Sequence, residues 1–143
     1  MGKSLKYKNM AAYERVLGAG SQLKSFGAVF SPALENGDPK PWYNEVTGDL
    51  DKEVIEHWKK YDICRIFPNI WKQHRMELKG KINLLVHQKD IFFLTSGVKS
   101  FEKVCASVNC DANFTYMKGA GHHIPKASTK KMFDTIQKNW KNR

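Results

Sequence analysis

Two side chains with complementary acid–base chemistry follow two apolar stretches of this sequence. Asp90 comes shortly after the stretch Lys81–Val86, and His122 comes shortly after Ala112–Met117. A carboxylate that accepts a hydrogen bond from an imidazole fixes the tautomer of the ring and stabilises its protonated form. If the two stretches are neighbouring strands, the residues can form such a pair. His122 is then a candidate general base, and Asp90 is the residue that orients it.

Each of these polar residues also has a structural interpretation. An aspartate at a strand end commonly forms a turn or caps a helix, and a loop histidine is commonly no more than polar surface. His123 is the less favoured base, and we expect it to flank the site or to point outward. His87 stands at the end of the first stretch and is a candidate lining residue. His87 and His123 are therefore the candidate substrate-binding residues.

The elements that must position these residues alternate in type from Gly80 onward. The pattern predicts a strand at Lys81–Val86, a helix capped by Ser96, a strand at Ala112–Met117 and a last helix that opens near Ser128. Units of this length favour parallel pairing through right-handed crossovers. Catalytic groups gather at the carboxyl ends of such strands. One crossover separates the two strands, so Asp90 and His122 are expected at the same edge of the sheet.

The first half of the chain adds one predicted strand. Phe26–Phe30 reads as a short buried strand that Pro32 ends. An irregular loop is predicted at Asn36–Gly48. Helices are predicted at Lys8–Leu17, Val54–Tyr61 and Ile70–Leu78. The fold class is therefore α/β, with about three parallel strands and flanking helices. We expect the 143 residues to form a single domain.

The chain is strongly basic. Its net charge is +10, and the stretch Lys118–Arg143 carries seven basic residues against one acid, Asp134. A basic surface is compatible with an acidic partner or nucleic acid. The sequence has no arginine-rich stripe or nucleic-acid motif, so a solvated basic face is the favoured interpretation and nucleic acid an unfavoured partner. The alternative function is a non-catalytic basic binding module.

Cysteine usage and hydropathy predict a protein of a reducing compartment. Cys64, Cys105 and Cys110 lack metal-ligand spacing and read as small, partly buried side chains, so they predict no metal site. No apolar run approaches the roughly 18 residues of a membrane helix, and the first residues lack the apolar region of a signal peptide. The chain as it stands is therefore expected in the cytoplasm without a membrane partner, and the compartment of a longer parent protein stays open.

Two longer segments carry a family resemblance. "GKINLLVHQKDIFFL", residues 80–94, and "NFTYMKGAGHHIPK", residues 113–126, resemble the C-terminal half of esterase-type α/β-hydrolases. "FGAVFSPAL" and "HWKKYDICRIF", at Phe26 and His57, resemble earlier elements of the same family. The resemblance implies a serine hydrolase of carboxylic esters without metal or cofactor. It places Asp90 at the acid position and His122 at the base position.

The nucleophile is where the sequence departs from this family. Members carry a strand and then Gly-x-Ser-x-Gly before the helix, whereas here Gly2-Lys3-Ser4-Leu5-Lys6 stands in that place without a preceding strand. Ser4 is the candidate nucleophile, and a remnant or plain terminal serine is the favoured interpretation. The chain reads as truncated on its N-terminal side, an active esterase or an inactive fragment of one. Its partners would be a small ester substrate and a second copy or another chain that completes the sheet.

Overall fold

The computed structural model describes residues 7–17 and 22–141. The chain divides into two compact units, Met1–Asp62 and Ile63–Arg143. The expectation that they make up a single domain stays a prediction. No helix among the described residues is both long and apolar enough to span a bilayer.

The first unit is helical around a small aromatic core. It contains α1 (Tyr7–Leu17), α2 (Gln22–Phe30), α3 (Lys52–Trp58) and a 3₁₀ turn at Lys59–Tyr61. Asp51 caps α3 through hydrogen bonds from the backbone N–H groups of Glu53 and Val54, as is typical of an aspartate directly before a helix. The irregular loop from Asn36 to Gly48 delivers two aromatic side chains to the core, which consists of Ala11, Leu23, Trp42, Tyr43 and Val54.

The predicted strand at Phe26–Phe30 is wrong, because these residues form the second half of α2. A short apolar run does not distinguish a strand from a buried helix by its periodicity. Packing decides the matter: Leu23 and Gly27 lie four residues apart on one helical face. The indole Nε1 of Trp42 donates to the carbonyl of Leu23 at 3.1 Å, and a Cβ added at Gly27 would lie 3.2 Å from that indole. Glycine here allows the close approach.

The second unit holds the sheet. It contains α4 (Ile63–Leu78), β1 (Asn83–Asp90), α5 (Leu94–Ser107), β2 (Asn113–Gly121) and α6 (Lys126–Lys141). The strands β1 and β2 pair in parallel, and the described residues contain these two strands rather than the three expected. The α/β class is therefore present in a smaller form than predicted. One helix start differs from the prediction, because α4 begins at Ile63 rather than Ile70, whereas α6 begins at Lys126, near the predicted Ser128.

A second aromatic cluster holds α4 and α5 together in this unit. Phe67 and Trp71 of α4 and Phe101 and Cys105 of α5 are buried. The ring of Phe101 contacts Phe67 edge-on at 4.8 Å between centroids and reaches Phe114 of β2 at 6.1 Å. Phe101 therefore joins both helices to the sheet, and it fixes the crossover that carries the chain from β1 to β2.

Replacing Phe101 by alanine is expected to destabilise the fold strongly. A buried phenylalanine that is truncated to alanine typically costs about 3–5 kcal/mol, from lost apolar burial and the cavity that remains. Urea unfolding followed by far-ultraviolet circular dichroism measures the change. Phe133→Ala is the matched control, because the Phe133 side chain on α6 is exposed, and its effect should stay within about 0.5 kcal/mol. Equal effects of the two substitutions would contradict the central packing role of Phe101.

Candidate active site

Asp90 and His122 meet at the carboxyl ends of the two parallel strands. Nδ1 of His122 lies 2.9 Å from Oδ2 of Asp90. Asp90 is the last residue of β1 and pairs in register with Gly121, the last residue of β2, directly before the histidine. The spatial prediction from the sequence is thereby confirmed, and it is His122 rather than His123 that contacts the carboxylate. The catalytic role of the pair stays a prediction.

The Asp90 carboxylate is buried and fully engaged. Its side chain is 3% exposed. Oδ1 accepts hydrogen bonds from the backbone N–H groups of Phe92 at 2.9 Å and Leu94 at 3.3 Å. Burial would raise the pKa of Asp90, but the hydrogen bonds from His122, Leu94 and Phe92 and the charge of a protonated His122 outweigh it, so that the pKa lies below its ordinary value. The carboxylate therefore stays ionised at neutral pH.

Asp90 also has the structural role of turn former and helix cap that is the alternative interpretation of its position in the sequence. Leu94 is the first residue of α5. Oδ1 of Asp90 accepts a hydrogen bond from the backbone N–H of Leu94, which would otherwise lack a partner. The prediction that Ser96 caps this helix is wrong: the cap residue is Phe93, and the hydroxyl of Ser96 donates to its carbonyl at 2.8 Å. One carboxylate thus forms the turn, supports the helix start and orients the imidazole.

The imidazole of His122 is half exposed, with 49% of the side chain accessible to solvent. The ring of Phe92 packs against the imidazole at 4.7 Å between centroids, with the two planes at 72°. With Nδ1 directed at the carboxylate, the neutral ring carries its proton on Nδ1 and a lone pair on Nε2. Nε2 has no hydrogen-bond partner among the described residues. This arrangement can accept a proton from a nucleophile and return it to a leaving group.

Thr95 stabilises the turn at Asp90, a role that the sequence pattern does not predict. The hydroxyl of Thr95 donates to the carbonyl of His87 at 2.8 Å and lies 3.4 Å from the backbone N–H of Asp90. The start of α5 is thereby tied to the last residues of β1. A threonine in the first turn of a helix is a general signal for a side-chain-to-backbone hydrogen bond. The sequence offers nothing that identifies its partner.

His87 and His123 contribute to the site in a different way from the expectation. Nε2 of His87 lies 3.0 Å from the backbone carbonyl of His123. Because a carbonyl only accepts, Nε2 of His87 carries the proton and donates. The Nδ1 atom is buried and has no hydrogen-bond partner among the described residues. His87 therefore anchors the chain beside His122, while the His123 side chain is exposed. A substrate-binding role for either residue stays a prediction.

The turn before His122 depends on glycine. Gly121 has φ of 148°, a conformation that residues with a Cβ rarely adopt. The register between β1 and β2 also shifts between His87 and Lys89, so that Lys89 lies opposite Ala120. Such an irregularity re-aims the residues that follow it. Gly121 and the shift together bring the imidazole of His122 over the end of β1.

Neither Ser4 nor the two cysteines Cys105 and Cys110 are established as the nucleophile of this pair. Ser4 lies outside the described residues. Burial raises the pKa of Cys105 to about 12, with a further contribution from Cys110, and burial also raises the pKa of Cys110. Both are therefore protonated thiols at neutral pH. The part of the chain that is described holds no cluster of three or more histidine, cysteine or acidic side chains that would suit a metal ion.

Comparison with known proteins gives no relative: no protein-family model, no curated protein and no solved structure matches this chain. The function of the site therefore has to follow from its own geometry.

The stability that Asp90 contributes is expected to depend on pH. The pKa of Asp90 is lowered in the folded protein from its ordinary value of 3.8. Its contribution is therefore present above the unfolded-state pKa and is lost as the pH falls through the folded-state pKa. Asp90→Asn should lower the free energy of unfolding at neutral pH, and the gap to the wild type should narrow as the pH falls below 3.8. Urea unfolding over a pH series measures this gap.

Asp134→Asn is the control for that series. The exposed carboxylate of Asp134 pairs with Lys130 one helical turn away, and such surface pairs contribute little. Its gap to the wild type should be small throughout. A gap for Asp90→Asn that stays constant down to strongly acidic pH would contradict the assigned hydrogen bonding.

The tautomer of His122 is expected to depend on the same carboxylate. In the wild type the neutral ring should carry its proton on Nδ1, because Oδ2 of Asp90 can only accept. In Asp90→Asn the amide can donate to Nδ1, so the proton should move to Nε2. Nitrogen-15 chemical shifts of the ring, measured at mildly alkaline pH, distinguish the two forms. An unchanged tautomer in the variant would show that Asp90 does not set the state of His122.

Proposed function

We propose that Asp90 and His122 are the acid and base of an esterase-like α/β-hydrolase, and that the chain, if it supplies a nucleophile, hydrolyses carboxylic esters. The single observation that carries the proposal is the 2.9 Å contact between Nδ1 of His122 and the buried carboxylate of Asp90 at the ends of adjacent parallel strands. A histidine with a purely structural role does not need a buried carboxylate at one ring nitrogen while its other ring nitrogen is left without a hydrogen-bond partner. The acid also precedes the base along the chain, in the order of that fold family.

The proposed reaction uses Nε2 of His122 as the proton carrier. A serine hydroxyl attacks the ester carbonyl carbon while its proton passes to Nε2. When the tetrahedral adduct collapses, the bond to the alcohol oxygen breaks and that oxygen takes the proton from Nε2. Water then attacks the acyl-serine in the same way and releases the acid. Asp90 keeps the imidazole in the right tautomer and stabilises the imidazolium that forms in each half-reaction.

We also propose that the two-stranded parallel sheet is part of a larger sheet of the hydrolase type. The parallel order β1–α5–β2 is what the C-terminal part of a hydrolase sheet would contribute. The larger sheet of such an enzyme needs further strands. A second copy or a partner chain that pairs with β1 or β2 would supply them, since open strand edges pair readily.

Hydrolysis of p-nitrophenyl acetate by the full chain tests the function. His122→Ala and Asp90→Asn should each lower kcat/KM by on the order of 10²–10⁴-fold, the usual contribution of a positioned general base and its orienting acid. His74→Ala is the matched control, because it removes an imidazole of the same exposure whose Nδ1 also contacts a carboxylate, that of Glu77, and it should leave the rate nearly unchanged. Ser4→Ala, together with labelling by a fluorophosphonate, identifies whether Ser4 is the nucleophile.

The outcomes separate the competing functions. Turnover that needs His122 but not Ser4 would indicate direct attack by water or another nucleophile. Equal small losses in His122→Ala and His74→Ala would reflect surface imidazoles alone and would refute catalysis by the pair. The non-catalytic basic binding module would then be the better description.

A further inference from the structure

The turn between Asp90 and α5 exposes an unusual amount of apolar surface. Four consecutive large side chains, Ile91, Phe92, Phe93 and Leu94, are all exposed, and we call them the apolar rim. Exposed apolar residues are ordinary when scattered, but a contiguous group of this kind marks a binding surface. A turn that served only to connect β1 to α5 would carry polar residues here.

Phe93 is the most informative member of the rim. Its backbone lies in the left-handed region, with φ of 62° and ψ of 18°, which costs free energy for a bulky residue. Its side chain is nevertheless 67% exposed, so burial offsets little of that cost. Asparagine or glycine would adopt the same backbone more easily. Strain of this kind concentrates at functional sites, where the side chain itself is needed.

The apolar rim extends from the imidazole to a cavity. The ring of Phe92 contacts His122, and Phe93 lines a cavity of about 320 Å³ together with Lys89, Asp90 and Thr95. That volume is at the lower end of the range for small-molecule sites. Asp90 borders both places, because its carboxylate contacts His122 and its residue lines the cavity. A ligand that packs on the rim therefore lies beside the proposed base.

We propose that the apolar rim binds the acyl chain of the substrate, so that the substrate class is an ester of a medium-length apolar carboxylic acid. This inference rests on the proposed function. The charges fit the acid that such a reaction releases: Lys89 is exposed at the cavity, and the Asp90 carboxylate beside it is buried with its oxygens engaged. A carboxylate with an alkyl tail thus finds a cation and the ring of Phe93 at the same cavity.

Binding of sodium octanoate to the full chain tests the inference without any turnover. The ring resonances of His122 report the binding by nuclear magnetic resonance, and sodium acetate is the matched ligand without the tail. Octanoate should shift these resonances and saturate, whereas acetate should shift them far less. Phe93→Asn should weaken octanoate binding about tenfold, because only part of the exposed Phe93 ring would be covered by the ligand and full burial would be worth more, and it should retain the fold because asparagine tolerates the backbone of residue 93. Phe133→Asn, at an exposed phenylalanine of α6, should leave octanoate binding unchanged.

Three outcomes would overturn the inference. Octanoate has no effect on His122; it binds Phe93→Asn and the wild type equally; or the His122 resonances broaden with protein concentration in the absence of octanoate and sharpen in Phe93→Asn, which would show that a second copy occupies the rim. Ester turnover that depends on His122, combined with any of these, would refute the rim and leave the proposed function standing. Octanoate binding that depends on Phe93, without turnover of either p-nitrophenyl acetate or p-nitrophenyl octanoate, would leave the rim as a binding site for apolar carboxylates but would refute both the hydrolase and the acyl-chain role of the rim.

Discussion

A buried carboxylate must have its hydrogen bonds supplied by the protein, and the site of this chain is organised around that requirement at Asp90. Three donors meet it: the backbone N–H groups of Phe92 and Leu94 and the ring of His122. The first two define the turn and the start of α5, and the third brings in the loop after β2. Because an ionised group without partners is costly to bury, these features depend on one another. Loss of any donor leaves the carboxylate less well satisfied.

The second aromatic cluster supplies the rigidity that this arrangement needs. Phe101 joins α4, α5 and β2, so the crossover between the strands cannot shift without disrupting packed rings. Thr95 and His87 then tie the two loops to β1 through hydrogen bonds to carbonyls. A base positioned in this way keeps its tautomer and its direction, which is the precondition for proton transfer. Within the second unit, the packing of the aromatic cluster therefore helps to hold the site residues in position.

The outward side of the same turn differs from its inward side in chemistry. Inward, Asp90 offers a charge that the protein neutralises by hydrogen bonds, whereas outward the apolar rim offers phenyl rings to solvent at a cost in hydration and, at Phe93, in backbone strain. A turn selected for stability alone would avoid both costs. The combination of an oriented imidazole and an apolar surface in ring contact with it is what connects the proposed chemistry to a class of substrate.

The sequence alone determined the parallel strand–helix–strand order after Gly80 and the meeting of Asp90 with His122, because apolar runs and crossover length are local signals and parallel strands end at a common edge. It did not determine the state of Phe26–Phe30, which an indole against Gly27 made helical. It also did not reveal that His87 holds the carbonyl of His123 or that Thr95 braces the turn. Only the tertiary structure decided these points, because each depends on a partner distant in sequence or on a backbone conformation that no periodicity encodes.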